Sequence, residues 1–275
     1  MRRIGAHVST AGGVVNALTR TTEIGGNCLQ IFAGSPRSWA RRLYEEKEIS
    51  SFLNESAKLD YSPTFIHALY LVNLASDNPD LVKKSVDSLI TDLKNGQVIA
   101  SAGVIVHLGS HQGRGFVSVV DQVAGVIRQI LNATEETPFI IENSAGQQGK
   151  IGSLTEIGEL FAKVNHPRLK LCLDSAHLFE AGYDLRNLSA LDTLVNELTD
   201  QGLFNQIVCL HLNDSKTEFN SRNDQHENLG DGKIGLLGLS QLVNHEDLVD
   251  LPIILEVPGD SGFPDAKQIA IAKSL

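Results

Sequence analysis

Residues 207–226 read IVCLHLNDSKTEFNSRNDQH, and the place where this stretch changes character decides the fold. Positions 207–210 are apolar and partly β-branched; the chain then turns polar at His211, Asn213 and Asp214. A strand apolar on both faces belongs in a buried parallel sheet, and its abrupt polar end marks where it delivers a side chain to the open end of that sheet. The loop beyond carries Lys216, Arg222, Asp224 and His226. In an extended segment Asp224 and His226 point to the same side. One strand end and its loop therefore offer three side chains of metal-ligand type.

Working outward, the same pattern recurs. Apolar runs at 4–7, 28–32, 64–67, 104–107, 139–142, 169–174 and 253–256 join 207–211 to make eight. Helical spacing fills the intervals at 14–24, 46–59, 81–99, 117–131, 154–164, 188–198 and 236–243, with a short last helix over 266–275. Eight strand-then-helix units without a long linker predict an α/β fold, a closed (β/α)₈ TIM barrel in which residues 1–275 form a single domain. An open doubly wound sheet is the runner-up. It lacks support because no G-x-G-x-x-G follows the first strand, where Gly12 and Gly13 stand alone.

Hydrophobic residues make up 42% of the chain and aromatics only 5%, a Val/Ile/Leu-rich balance that suits helices packed on a parallel sheet. Cys28, Cys172 and Cys209 each lie singly inside a strand-like run, so they read as small buried hydrophobes in a reducing compartment. The start, MRRIGAHVST, has no apolar secretory core and no segment reaches membrane length; a soluble cytoplasmic protein is expected. The 23 basic and 33 acidic side chains give a net charge of -10, which at face value argues against nucleic acid. Two features weaken that argument. Several acids are candidate metal ligands whose charge a divalent ion would cancel, and Arg37, Arg41 and Arg42 cluster beside Trp39.

The last residues of the eight runs are His7, Phe32 (two after Gln30), His67, His107, Glu142, Asp174, His211 and Glu256. In a parallel barrel these ends converge on one face. A lone His or Glu at a strand end is more often hydrogen-bonded or solvated than a ligand, but six successive strands, the third to the eighth, end this way. Imidazole and carboxylate donors without a thiolate cluster suit zinc, manganese or iron. Such a centre, with one ion or several, lowers the pKa of a water and polarises a phosphoryl or carbonyl oxygen.

At these residues the chain resembles the endonuclease IV family, the zinc-dependent apurinic/apyrimidinic endonucleases. The likeness runs through GAHVSTAGG (5–13), QIFAGSPRSW (30–39), HALYLVNLA (67–75), VHLGSH (106–111), IENSAG (141–146), CLDSAHLFEAGYD (172–184), HLNDSKTEFNSRNDQHENLGDGKIG (211–235) and PIILEVP (252–258), nearly the whole chain in the family's order. The resemblance implies a barrel holding three zinc ions. His67, His107 and Glu142 would hold the first; Glu142 as a bridge, with Asp174, His211 and Glu256, the second; His177, Asp224 and His226 the third. It further implies hydrolysis of the phosphodiester 5′ to an abasic site, leaving a 3′-hydroxyl and a 5′-deoxyribose phosphate, and trimming of blocked 3′ ends. Glu142 and Glu256 would be the catalytic carboxylates, the second orienting or deprotonating water.

Duplex DNA is the implied partner, with Arg37, Tyr70 and Leu71 pressed against the lesion and Arg222, Lys216, Asn143, Ser144 and Gly146 near phosphates. Family habit suggests a monomer without a protein partner. His7 and His111 would orient ligands or phosphate, and His166 and His245 read as solvent-side. The sequence departs from many relatives at Ala176, where they carry Cys, and at Val72, where they carry a longer aliphatic. Sugar isomerases and epimerases of the same fold are the rival class. They would use Glu142, Asp174, His211 and Glu256 with one or two divalent ions, leaving His67, His107, His177, Asp224 and His226 without a purpose.

Overall fold

Short strands apolar on both faces bury themselves only when a ring of helices covers the outside and their own side chains fill the inside. That arrangement is found in the computed structural model, which describes residues 2–275. The barrel strands are β1 (Ile4–His7), β2 (Cys28–Phe32), β3 (Thr64–His67), β4 (Gly103–Val106), β5 (Phe139–Glu142), β6 (Leu169–Asp174), β7 (Ile207–His211) and, after a hairpin of β8 (Asp214–Ser215) with β9 (His226–Glu227), β10 (Ile253–Leu255). All barrel pairs are parallel and follow chain order around the ring. The seam closes where Ile4 of β1 pairs with Ile253 of β10. Two of the expected runs stop early: β4 ends at Val106 and β10 at Leu255, so His107 and Glu256 stand one residue past their strands.

The inside of the ring is filled by Cys28, Phe65, Ile105, Ile140, Cys172, Cys209 and Ile254. Burial raises the pKa of all three thiols, Cys28 to about 12, and they behave as the small hydrophobes the sequence suggested. Strand faces of opposite parity, among them Ile66, Val104, Ile141, Leu171 and Leu210, pack under the helices. Closure is tight at Gly5, where an added Cβ would lie 1.7 Å from the carbonyl oxygen of Cys28.

The outer ring comprises α1 (Asn16–Glu23), α2 (Glu46–Leu59), α3 (Pro79–Val98), α4 (Phe116–Asn132), α5 (Leu154–Val164), α6 (Ser175–Ala181), α7 (Leu188–Asp200), α8 (Gly235–Val243) and α9 (Ala266–Ser274). Local chemistry sets several starts. The Asn78 side chain accepts from the amides of Asp80 and Leu81 with Pro79 in the first turn, and Ser153 with Glu156 forms a reciprocal cap on α5. Helix α6 and the β8–β9 hairpin were not expected from the sequence. Asp174 ends β6 and caps α6 at once, its Oδ1 accepting from the His177 amide at 2.9 Å, so no turn separates strand from helix. Among the described residues, no helix is long and apolar enough to cross a membrane.

Candidate metal centre

The nine expected ligands arrive at the carboxyl rim of the barrel as three groups of donor atoms. His67 Nε2 and His107 Nε2 each lie 3.3 Å from Glu142 Oε2. The other oxygen of that carboxylate, Oε1, is 3.0 Å from His211 Nδ1, which in turn is 3.4 Å from Glu256 Oε2 and 3.9 Å from Asp174 Oδ2. In the third group His177 Nε2 lies 3.2 Å from Asp224 Oδ1 and 3.4 Å from His226 Nε2, and His226 Nε2 is 3.8 Å from Asp224 Oδ1. Asp174 Oδ2 also comes within 3.6 Å of His226 Nε2, so it stands between the second and third groups. Donors around a tetrahedral zinc with bonds of about 2.0–2.1 Å sit roughly 3.3 Å apart. A direct imidazolium–carboxylate hydrogen bond is shorter, about 2.7–2.9 Å. Most of these separations fit the first description better.

Ring orientation supports the same fit. His67 Nδ1 is 2.7 Å from the Ala68 carbonyl and His177 Nδ1 is 3.0 Å from that of Asn143. A carbonyl only accepts, so both Nδ1 atoms keep a proton and both Nε2 atoms are the ones turned to the centre, free to ligate once a metal displaces any proton there. Around them Asn213 donates from Nδ2 to Asp174 Oδ2 at 2.6 Å and accepts from the Glu256 amide at 2.8 Å. Asn143, expected near a phosphate, spends its amide on the backbone of Asp174, accepting from its N–H at 2.7 Å. Gln30, overlooked in the sequence because it lies inside an apolar run, touches three site residues. His7 is where the sequence suggested, 3.3 Å from Glu256 Oε1, with a buried Nε2 that has no partner among the described residues.

Glu142, Asp174 and His211 are fully buried, an expensive place for charge unless opposite charge is at hand. Burial pushes the Glu142 carboxyl up, but the imidazoles of His107 and His211 outweigh it and hold the group well below the usual carboxylate range. Burial also raises Glu256, and His211, with the His7 ring 3.3 Å away, overcomes it. For His177, burial lowers the pKa while Asp174 and Asp224 carry it well above the ordinary histidine value. His211 moves the same way, burial being offset by the carboxylates of Glu256 and Glu142. The metal-free centre therefore binds protons where a divalent cation would sit, and a donor set of imidazoles and carboxylates suits such a cation.

Above the centre opens a cavity of about 380 Å³ whose wall includes His7, His107, His226, Glu256, Tyr70 and Phe263. Tyr70 is 63% and Leu71 38% exposed, and the Tyr70 ring meets Phe32 edge-on at 5.4 Å. A second hollow of about 360 Å³ is lined by Asn143, Ser144, Gly146 and Arg222, together with His111; Lys216 is not on its wall. The basic cluster divides on inspection. Arg37 is exposed, but the Arg41 side chain is buried with its Nε 3.2 Å from Asp92, and Arg42 pairs with Glu48 at 2.6 Å. Trp39 packs on the core. His245 is not solvent-side either: its ring is 10% exposed and faces Asp192 at 3.2 Å.

Comparison with known proteins bears on this geometry. Residues 18–274 match the model of the xylose isomerase-like TIM barrel family. A probable endonuclease 4 of Halothermothrix orenii is 38% identical over 263 residues, 94% of this chain and 95% of its own length. Another, of Haloarcula marismortui, is 36% identical over all of this chain and 99% of its own. Among solved structures, endonuclease IV from Thermus thermophilus superposes with a TM-score of 0.87 at 34% identity, covering 99% of this chain and 98% of that one.

Proposed function

The chain belongs to the endonuclease IV family, within the xylose isomerase-like TIM barrels, and from that premise we propose that it hydrolyses the phosphodiester 5′ to abasic sites in duplex DNA. The products are a 3′-hydroxyl and a 5′-deoxyribose phosphate, and blocked 3′ ends are trimmed at the same centre. One observation carries the reading: the two oxygens of Glu142 face separate donor groups while His177, Asp224 and His226 form a third. That arrangement suits three zinc ions, the first held by His67, His107 and Glu142, the second by Glu142, Asp174, His211 and Glu256, the third by His177, Asp224 and His226.

Zinc, when bound, supplies the Lewis acidity that activates water near neutral pH and steadies negative charge on a phosphate. The protein's residues do the rest. Glu142 sets the spacing between the first two groups. Glu256, on the cavity wall, orients the attacking water. Arg37, Tyr70 and Leu71 stand at the rim against the lesion as a wedge opposing restacking, with Arg222 as a phosphate partner. The reading includes one catalytic barrel domain, acting as a monomer on cytoplasmic DNA.

A sugar isomerase or epimerase would need only Glu142, Asp174, His211 and Glu256. The five additional ligands, positioned in two further groups, favour the nuclease. The test is a duplex oligonucleotide carrying a tetrahydrofuran abasic analogue. Incision on its 5′ side, abolished by a chelator and restored by zinc, is expected; absence of chelator-sensitive incision would overturn the reading.

A further inference from the structure

Gln30 is the polar residue of β2 and is fully buried at the barrel rim. Its amide meets three site residues at once. Nε2 is 2.5 Å from Glu256 Oε1 and 2.9 Å from His7 Nδ1, while Oε1 is 2.8 Å from His211 Nε2. The carboxylate fixes the direction of this chain of bonds. An ionised Glu256 only accepts, so the amide must turn its nitrogen to it, and the amide oxygen then faces His211. An amide oxygen only accepts, so His211 Nε2 keeps its proton and Nδ1 is the atom that gives one up to a metal. That is the atom facing Glu142 Oε1 and Glu256 Oε2. The second amide proton goes to His7 Nδ1. Both protons and the oxygen are thereby committed, and the amide has one orientation.

We propose that Gln30 is a positioning residue of the metal centre: by locking Glu256 and the tautomer of His211 together, it presents His211 Nδ1 and Glu256 Oε2 as a preformed pair of ligands. The inference deepens the nuclease reading and rests on its assignment of these two residues to one ion. Partners that orient metal ligands in this way typically contribute about 10–100-fold in metal affinity.

The test compares Gln30→Met, which keeps the length without the amide, and Gln30→Glu, which keeps the shape without the donor. Purified proteins are loaded with zinc, titrated with a competing chelator and assayed for bound metal. Cobalt-substituted samples report ligand geometry by their visible spectra, and thermal unfolding of the metal-free proteins checks the fold. Both variants should release one ion at chelator concentrations about 10–100-fold lower than the wild type and show an altered cobalt spectrum. Unchanged metal retention and spectrum in a folded variant, or a wild type that takes up no divalent metal, would overturn the proposal. A wild type that holds metal yet leaves abasic DNA intact would remove the nuclease reading and leave this one standing.

Discussion

Glu142 shows what a single side chain can organise when it is buried where two groups of donors meet. Replacing it by Gln keeps the shape but removes the charge and turns one accepting oxygen into a donor. Glu142→Gln should lower the zinc content by at least one ion per chain and slow incision by at least about 100-fold. Metal analysis of the purified variant and a nicking assay check this; full metal content would remove the bridging role. Tyr70 belongs to a different task. Stacking on an aromatic contributes roughly 1–3 kcal/mol per base, so Tyr70→Ala should reduce the preference for abasic over intact duplex about 5- to 150-fold in a binding assay while metal content stays the same. At this scale the sequence was most readable where a residue ended an apolar run, as His67, Glu142 and Asp174 do. Gln30 was hidden because Ile31 and Phe32 continue the strand beyond it. The burial of Arg41 was hidden because its partner Asp92 lies on α3, far along the chain.

Between residue and barrel, α6 and the β8–β9 hairpin form a small unit with one latch. Glu180, buried on α6, accepts from Ser215 Oγ at 2.7 Å, Thr217 Oγ1 at 3.1 Å and the Gln225 amide at 3.3 Å, and its carbonyl accepts from the Arg222 amide at 3.0 Å. The loop so held carries Asp224 and His226. Glu180→Ala leaves buried partners unsatisfied, at about 1–3 kcal/mol. The variant should be cut in the 216–225 loop under limited proteolysis and should lose an ion before the wild type does. Equal protease resistance would mean that the loop is held by other contacts. This unit was not legible in the sequence, for physical reasons. Two-residue strands are too short to show alternation, and a strand whose last residue is also a helix cap needs no turn residue to mark the change.

For the molecule as a whole, the protonated centre makes stability and metal content one problem. The pKa values of His177 and His211 are raised on folding, so without metal their contribution is fully present below the ordinary histidine value and is lost as pH rises through the higher folded values. A divalent cation such as the proposed zinc would displace those protons, so its affinity should climb over the same interval. A chelator should therefore lower the melting temperature, and the drop should widen between pH 6 and pH 8. With free zinc at 100 times its dissociation constant, the loss is about 2.7 kcal/mol, roughly 5–10 °C for a chain of this size. Calorimetry across that range checks it; a drop that narrows toward alkaline pH would contradict the proton account.

The closed ring has one more consequence. His67, His107 and Glu142 come from β3, β4 and β5, which are neighbours in sequence and in space, whereas Glu256 follows the strand that shuts the seam against β1. A half-made ring can offer that first corner to an ion but has no Glu256 to complete the set. The full donor set, as proposed, therefore exists only once the last strand has shut the seam.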